Sequence, residues 1–342
     1  MTGLDRRRAL YLLGAGAGTA LLAGCSETSG GRGEDEGDDE STTLELDDEI
    51  PSYASILPDT DASEYFYGAI DLETMQSLLD GDDEAGDEPT DPLLGNPIVV
   101  AFYCSYAIGR LGESNSFGAY VEHNETDDGD ETFVYADGVY AFTGTYATDD
   151  LAAALADAGY VQEVEAETYA VYTDLDTGEV VGVTDDAFAF TYPAEAFDPV
   201  DAVERTVATA AGDRDPKHET DEDLEFLLRA GETDGITLCL YTEDEEFDAE
   251  ALSAGRTDDD ADGLAFDFEP ATGAFGVHQR LSTTDTDVDA RATALVTYST
   301  DDRIDRDRLE SELGTDAQTV SVDRTETAVR VEAEYDGDVV DE

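Results

Sequence analysis

Phe133-Val134-Tyr135-Ala136-Asp137-Gly138-Val139-Tyr140-Ala141-Phe142 is the stretch on which the fold turns. Apolar, β-prone residues flank Asp137-Gly138, a pair that tolerates the positive φ angles of a two-residue hairpin loop. The stretch predicts two antiparallel strands, and kindred signals lie on both sides of it. Upstream, residues 65–72 read as a strand and 73–79 as a short helix. Ile98 to Tyr106 is apolar enough for a central strand, with Phe117 to Val121 pairing nearby. Downstream, residues 149–158 form a helix with Leu151, Ala154, Leu155 and Ala158 on one face. Thr148 or Asp149 can cap it, and Gly159 stops it.

Strands follow at 169–172, 180–183 and 188–192, the first two joined by a turn over Asp174 to Gly178. A second helix opens at Asp198-Pro199, a cap followed by a first-turn proline, and ends at Gly212. A third covers 223–229, and 236–241 is a strand. The fold class is α+β, with antiparallel sheets and helices packed on one face. Thr145-Tyr146-Ala147-Thr148-Asp149-Asp150 is echoed by Thr297-Tyr298-Ser299-Thr300-Asp301-Asp302. Each precedes a helix stopped by glycine (Gly159, Gly314), the second about one turn longer, and strands follow both. The echo predicts a degenerate internal duplication, against the alternative of one favourable junction used twice.

The N-terminus is an address. Arg7-Arg8-Ala9-Leu10-Tyr11 has the twin-arginine pattern, and a glycine-diluted apolar run leads to Leu22-Ala23-Gly24-Cys25, a lipobox with a cysteine to take the lipid. The run has about 15 residues, short of the roughly 20 that a spanning helix needs. By these motifs the chain resembles the haloarchaeal Tat-exported lipoproteins. That resemblance implies cleavage before Cys25, an anchor on its thiol and a mature chain facing the exterior of the cell membrane. No later stretch reads as a span. The expected organisation is a signal peptide (1–24), an acidic Gly/Ser linker (25–49), a first α+β domain (50–245) and a smaller second domain repeating part of the first (246–342).

Composition agrees with that address. Of 342 residues, 86 are acidic and 17 basic, a formal net charge of −69. Such self-repulsion threatens a compact state in dilute buffer, whereas the Debye length is only about 3 Å at 1 M salt. Forty per cent of residues are apolar, which supports packed cores and argues against an acidic disordered chain. Nucleic acid is excluded as a partner by the lack of any basic patch.

The remaining cysteines, Cys104 and Cys239, both sit in apolar settings. They read as two buried free thiols, with a disulfide between them as the alternative. Asp258, Asp260, Asp262 and Glu269, with Gly263 between them, match a calcium-loop spacing. The flanks do not suit an EF-hand, because Leu264, Phe266 and Phe268 alternate like a strand. A plain acidic turn is therefore the favoured reading, with calcium as the alternative. His123, His218 and His278 lack metal-ligand spacing and read as surface or pocket-edge residues. A copper site of Cys, His and Met is disfavoured, because no His follows Cys239 and the only methionines are Met1 and Met75. No phosphate loop, nucleophile elbow or dinucleotide glycine pattern appears in a fitting context.

The expected function is therefore a non-catalytic, lipid-anchored surface protein of a halophile. It would act as an envelope or accessory factor through contacts with an envelope or membrane protein, without a resident cofactor. A solute-binding lipoprotein of a transporter is the alternative, weakened by strands that cluster in hairpins. A carboxylate-dependent extracellular hydrolase is third.

Overall fold

The computed structural model describes residue 44 and residues 49–60, 62–80, 89–127, 129–194, 197–230, 234–253, 265–283 and 290–335. The leader, with Arg7, Arg8 and the lipobox Leu22 to Cys25, lies outside them, as do Asp258, Asp260 and Asp262 of the calcium-loop spacing.

Twelve strands form one antiparallel sheet: β1 (Glu64–Asp71), β2 (Thr132–Ala136), β3 (Val139–Thr143), β4 (Val161–Glu165), β5 (Tyr169–Thr173), β6 (Val180–Thr184), β7 (Ala187–Thr191), β8 (Ile236–Thr242), β9 (Gly276–Thr283), β10 (Ala290–Thr297), β11 (Thr319–Arg324) and β12 (Ala328–Tyr335). Their order is β11-β12-β10-β9-β8-β1-β2-β3-β7-β6-β5-β4. The β2–β3 hairpin forms as its sequence predicts, with Asp137 at φ 47° and Gly138 at φ 79° in the loop. The nine described helices are α1 (Leu72–Asp80), α2 (Pro92–Leu111), α3 (Ser116–His123), α4 (Thr148–Asp157), α5 (Pro199–Ala210), α6 (Lys217–Thr220), α7 (Glu222–Leu228), α8 (Ala249–Ser253) and α9 (Arg306–Glu312). The α+β class with antiparallel pairing is thus the observed one.

Helices cover both faces of the sheet, not one. Alternation along β1 sends Phe66 and Ile70 to one side and Tyr65, Tyr67 and Ala69 to the other. The first face packs under α2, α3, α4 and α9, and the second under α5, α7 and a 3-10 turn, Ser52–Ile56. A sheet this wide with apolar residues on both sides needs cover on both.

The largest correction concerns Ile98 to Tyr106, which lies inside α2 and is not a central strand. The Asp91 carboxylate accepts from Leu93 N at 3.0 Å, and Pro92 opens the helix. The run is apolar nearly all round, so it shows no two-fold or 3.6-fold alternation by which to choose. Phe117 to Val121 is likewise helical, within α3. With 20 residues, α2 is long and apolar enough to cross a membrane, contrary to the expectation of no later span; here it lies across β1, β8 and β9 as a core helix.

Two smaller expectations also change. The helix after Thr300 is broken into a 3-10 turn (Asp301–Arg303) and α9, and Asp305, which accepts from Arg308 N at 3.1 Å, caps the latter. Residues 265–268 are irregular where alternation suggested a strand, and Phe266 and Phe268 turn inward with ring centroids 5.6 Å apart.

The expected domain boundary at 245/246 falls between β8 and β9, which are hydrogen-bonded neighbours, so residues on both sides of it share one sheet. Topology nonetheless repeats about the β1–β8 pair. In one direction run β1, β2 and β3, a helix (α4), and a final hairpin that returns to pair with β3; in the other run β8, β9 and β10, a helix (α9), and a final hairpin that returns to β10. The first arm has one extra hairpin, β4–β5. Gly159 and Gly314 stop the two helices at φ 97° and 73°. Among the described residues the sheet has two open edges. One is β4, whose register slips between Gln162 and Val164; the other is β11, which is regular throughout.

Candidate functional site

A cavity of about 350 Å³ lies between α2 and the strands β1 to β3. Its cause is local. On this face Gly68 of β1 stands directly opposite Tyr135 of β2, and Tyr135 directly opposite Tyr140 of β3. Two positions of that row carry rings, and at the third the missing side chain lets Val100 of α2 come down onto the strand beside them. The roof is α2, with Val100 above Gly68 and Cys104 one turn further on.

Five aromatic rings wall the space in one continuous arc. Tyr140 meets Tyr135 with centroids 5.0 Å apart, Tyr135 meets Phe66 at 6.2 Å, Phe66 meets Phe266 at 5.3 Å, and Phe266 meets Tyr103 at 6.2 Å. Successive planes are inclined by 42°, 57°, 64° and 25°, and all five residues line the same space. Tyr103 is 47% exposed and forms the rim. Phe266 arrives from far along the chain and is fixed by Asn96 of α2. The Asn96 amide donates to the Asp267 carbonyl at 2.8 Å and accepts from Asp267 N at 2.7 Å, so it acts as a positioning residue.

None of the described residues lining the cavity carries a formal charge. Burial pushes the Tyr135 and Tyr140 phenols up and the Cys104 thiol well up, so all three stay neutral at physiological pH. A protonated thiol is a poor nucleophile. At one end of α2, Arg110 lies over the Tyr192 ring, 3.6 Å from its centroid.

Buried carboxylates lie elsewhere, each held by tyrosine. Glu131 accepts from Tyr120 (2.6 Å) and Tyr146 (3.1 Å) hydroxyls and from the Asn124 amide (3.1 Å). Glu179 accepts from Tyr160 and, at 3.3 Å, from Ser116. Asp91 accepts from Tyr335 at 2.7 Å and from Gly314 N at 3.1 Å, besides capping α2. Burial raises all three above the ordinary carboxylate range. Each joins helix to sheet or loop, which is a structural arrangement. Lys217, the only lysine of the chain, is 4% exposed and faces Glu243 at 2.8 Å, Asp59 at 3.3 Å and Asp221 at 3.5 Å. Burial by itself favours the neutral amine, but the carboxylates outweigh it and hold the ammonium above its usual value.

The sequence-derived candidates fare differently. Cys104 and Cys239 are free and belong to opposite faces of the sheet, so no bridge joins them. Glu269, the described member of the calcium-loop spacing, is exposed at the start of a 3-10 turn. Among the described residues no group of three or more His, Cys, Asp or Glu side chains is placed to hold a metal ion. His278 is buried, not at a surface or pocket edge, because it occupies an inward position on β9. It stands directly across from Cys239, so pairing between strands supplies the neighbour that the stretch after Cys239 lacks. Burial drives His278 down to about 3 and Cys239 upward, leaving a neutral imidazole beside a neutral thiol.

The ring-walled cavity and Lys217 are absent from the sequence-derived sites. The hairpin register foretells the Tyr135–Tyr140 contact, but reading α2 as a strand removes the roof. The rarity of lysine was a visible signal; its partners were not.

No family model and no curated protein sequence matches the chain. Among solved structures it is similar to crystal form I of TP0453, with 9% identity and a TM-score of 0.40 over 86% of this chain and 96% of that one. Crystal form III gives 9% and 0.39 over 87% and 96%, and crystal form IV gives 10% and 0.34 over 84% and 92%.

Proposed function

We propose that this protein is a non-catalytic, lipid-anchored surface protein of a halophile that binds a small organic ligand in the cavity under α2. The observation that carries the reading is the arc of five rings around about 350 Å³ of space, within the size range of small-molecule sites. The leader motifs support export through the twin-arginine route and lipidation at Cys25, with the mature chain outside the cell membrane. Neutral side chains lining the cavity, and buried carboxylates engaged by tyrosines, support binding over hydrolysis.

A thermal-shift screen of the mature protein in molar salt tests this, using neutral, cationic and anionic ring-sized compounds. A raised unfolding midpoint with at least one class, lost in Phe266→Leu, is expected. A flat response across all three classes sinks the binding role. Fractionation of cells carrying Cys25→Ser tests the anchor, which fails if the variant stays with the membrane.

A role through protein contacts has its own support. The segment from Pro92 to Gly109 has no charged residue in a chain that is 30% charged, yet Tyr103 and Tyr106 of α2 face outward. Cross-linking on intact cells at native salt should then recover a discrete envelope or membrane protein.

A further inference from the structure

We infer that the cavity is an aromatic cage for a soft organic cation of the quaternary ammonium class. The inference rests on the binding role proposed above and names its ligand chemistry.

Three observations select that class. The rings of Tyr140, Tyr135, Phe66, Phe266 and Tyr103 are in serial contact and all line one space. A cation within about 6 Å of several ring centroids is attracted by each quadrupole, most strongly where water is excluded. Among the described residues, the wall contains no Lys, Arg or ionised acid. An anion would find only phenol hydroxyls, and no cation, to replace its hydration, and a hydrated metal ion would find no carboxylate among the described lining residues to strip its shell. A quaternary ammonium spreads its charge over methyl groups and is weakly hydrated, so methyl contact with the rings compensates the lost water. Finally, the chain already seats a cation in this way nearby, where Arg110 covers the face of Tyr192. That guanidinium is not among the residues lining the cage, although its charge reaches the Tyr140 phenol, and the net charge of −69 favours cations over anions in the surrounding solution. In molar salt the distant acids are screened, so discrimination falls to the rings in contact.

Calorimetry on the mature protein in molar sodium chloride tests the inference with matched probes. Tetramethylammonium and choline are compared with 3,3-dimethylbutan-1-ol, the uncharged carbon isostere of choline. Choline is expected to bind at least about tenfold more tightly than the isostere. Tyr135→Phe should retain that preference, because the ring remains, and Tyr135→Leu should abolish it. Circular dichroism and the unfolding midpoint verify that each variant folds; should the Leu variant not fold, the probe comparison on the native protein decides alone. Equal or tighter binding of the neutral isostere overturns the cation cage while leaving the cavity a binding site. Absence of binding by all three probes overturns the cage, and the flat response of the broader screen would then remove the binding role as well.

Discussion

Gly68 faces Val100 across a gap too small for a side chain. A Cβ built there would stand 2.6 Å from Val100 Cγ1, so Gly68→Ala must push α2 away or force Val100 from its rotamer. We expect a loss of about 1–3 kcal/mol in denaturant unfolding, together with weaker binding in the cavity whose floor it forms. Lys217 is a second single-residue dependence. Its amide donates to the Leu57 carbonyl at 2.9 Å while its ammonium gathers acids from three segments. Lys217→Met leaves Asp59, Asp221 and Glu243 facing one another. The expected cost is roughly 1–3 kcal/mol, less than for a fully buried pair because Glu243 and Asp59 reach solvent. Unfolding at two salt concentrations checks this, since the penalty should shrink as salt screens the stranded acids.

Between elements, tyrosine–carboxylate contacts form the couplings. Glu131 holds Tyr120 of α3 and Tyr146 just before α4, and Glu179 holds Ser116 of α3 and Tyr160 just after α4. The two helices are thereby strapped to the sheet at both ends. Both carboxyls, like Asp91, are raised by burial, so the native state keeps their protons more firmly than the unfolded chain. That contribution is complete below the ordinary carboxylate range and is lost as pH climbs through the raised native values. Unfolding midpoints at constant molar salt should accordingly fall over that rise, and Glu131→Gln with Glu179→Gln should flatten the slope. Asp174 works in the opposite sense and at lower pH. The Asp176 amide holds its carboxyl below the usual range, so its contribution fades as pH falls. The elements legible in the sequence were those with local punctuation: Asp137-Gly138 for a hairpin, Asp198-Pro199 for the start of α5, Gly159 for the end of α4. The same grammar, Asp91-Pro92, opens α2, but the uniformly apolar run that follows it has no alternation to mark it as a helix. The cavity was illegible for that reason, and because Phe266 reaches it only through the clamp made by Asn96. The straps were illegible because their partners meet through tertiary packing of α3 and α4 on the sheet.

At the scale of the whole molecule the balance is set by charge against core. Two apolar layers lie on the two faces of the sheet, inside a chain of net charge −69. Dilution from molar salt lengthens the Debye length from about 3 Å to about 10 Å at 0.1 M, and repulsion then acts across whole elements. The unfolding midpoint should drop steeply over that range and the hydrodynamic radius should rise, followed by circular dichroism and size-exclusion chromatography. Refolding on return of salt is the companion expectation.

The open ends of the sheet meet the same salt with different defences. An unpaired strand invites a second chain, and surface charge ordinarily repels it. Salt that lets this acidic protein fold also mutes that repulsion. On β4 the slip between Gln162 and Val164 spoils the regular row of donors and acceptors whatever the ionic strength. Regular β11 has no such kink, and Val320 lies exposed on it. Crowding many copies on one surface would therefore be one-sided in its hazard: a stack could start from β11 against β11, but each pair would present only bulged β4 ends outward and would stop at two.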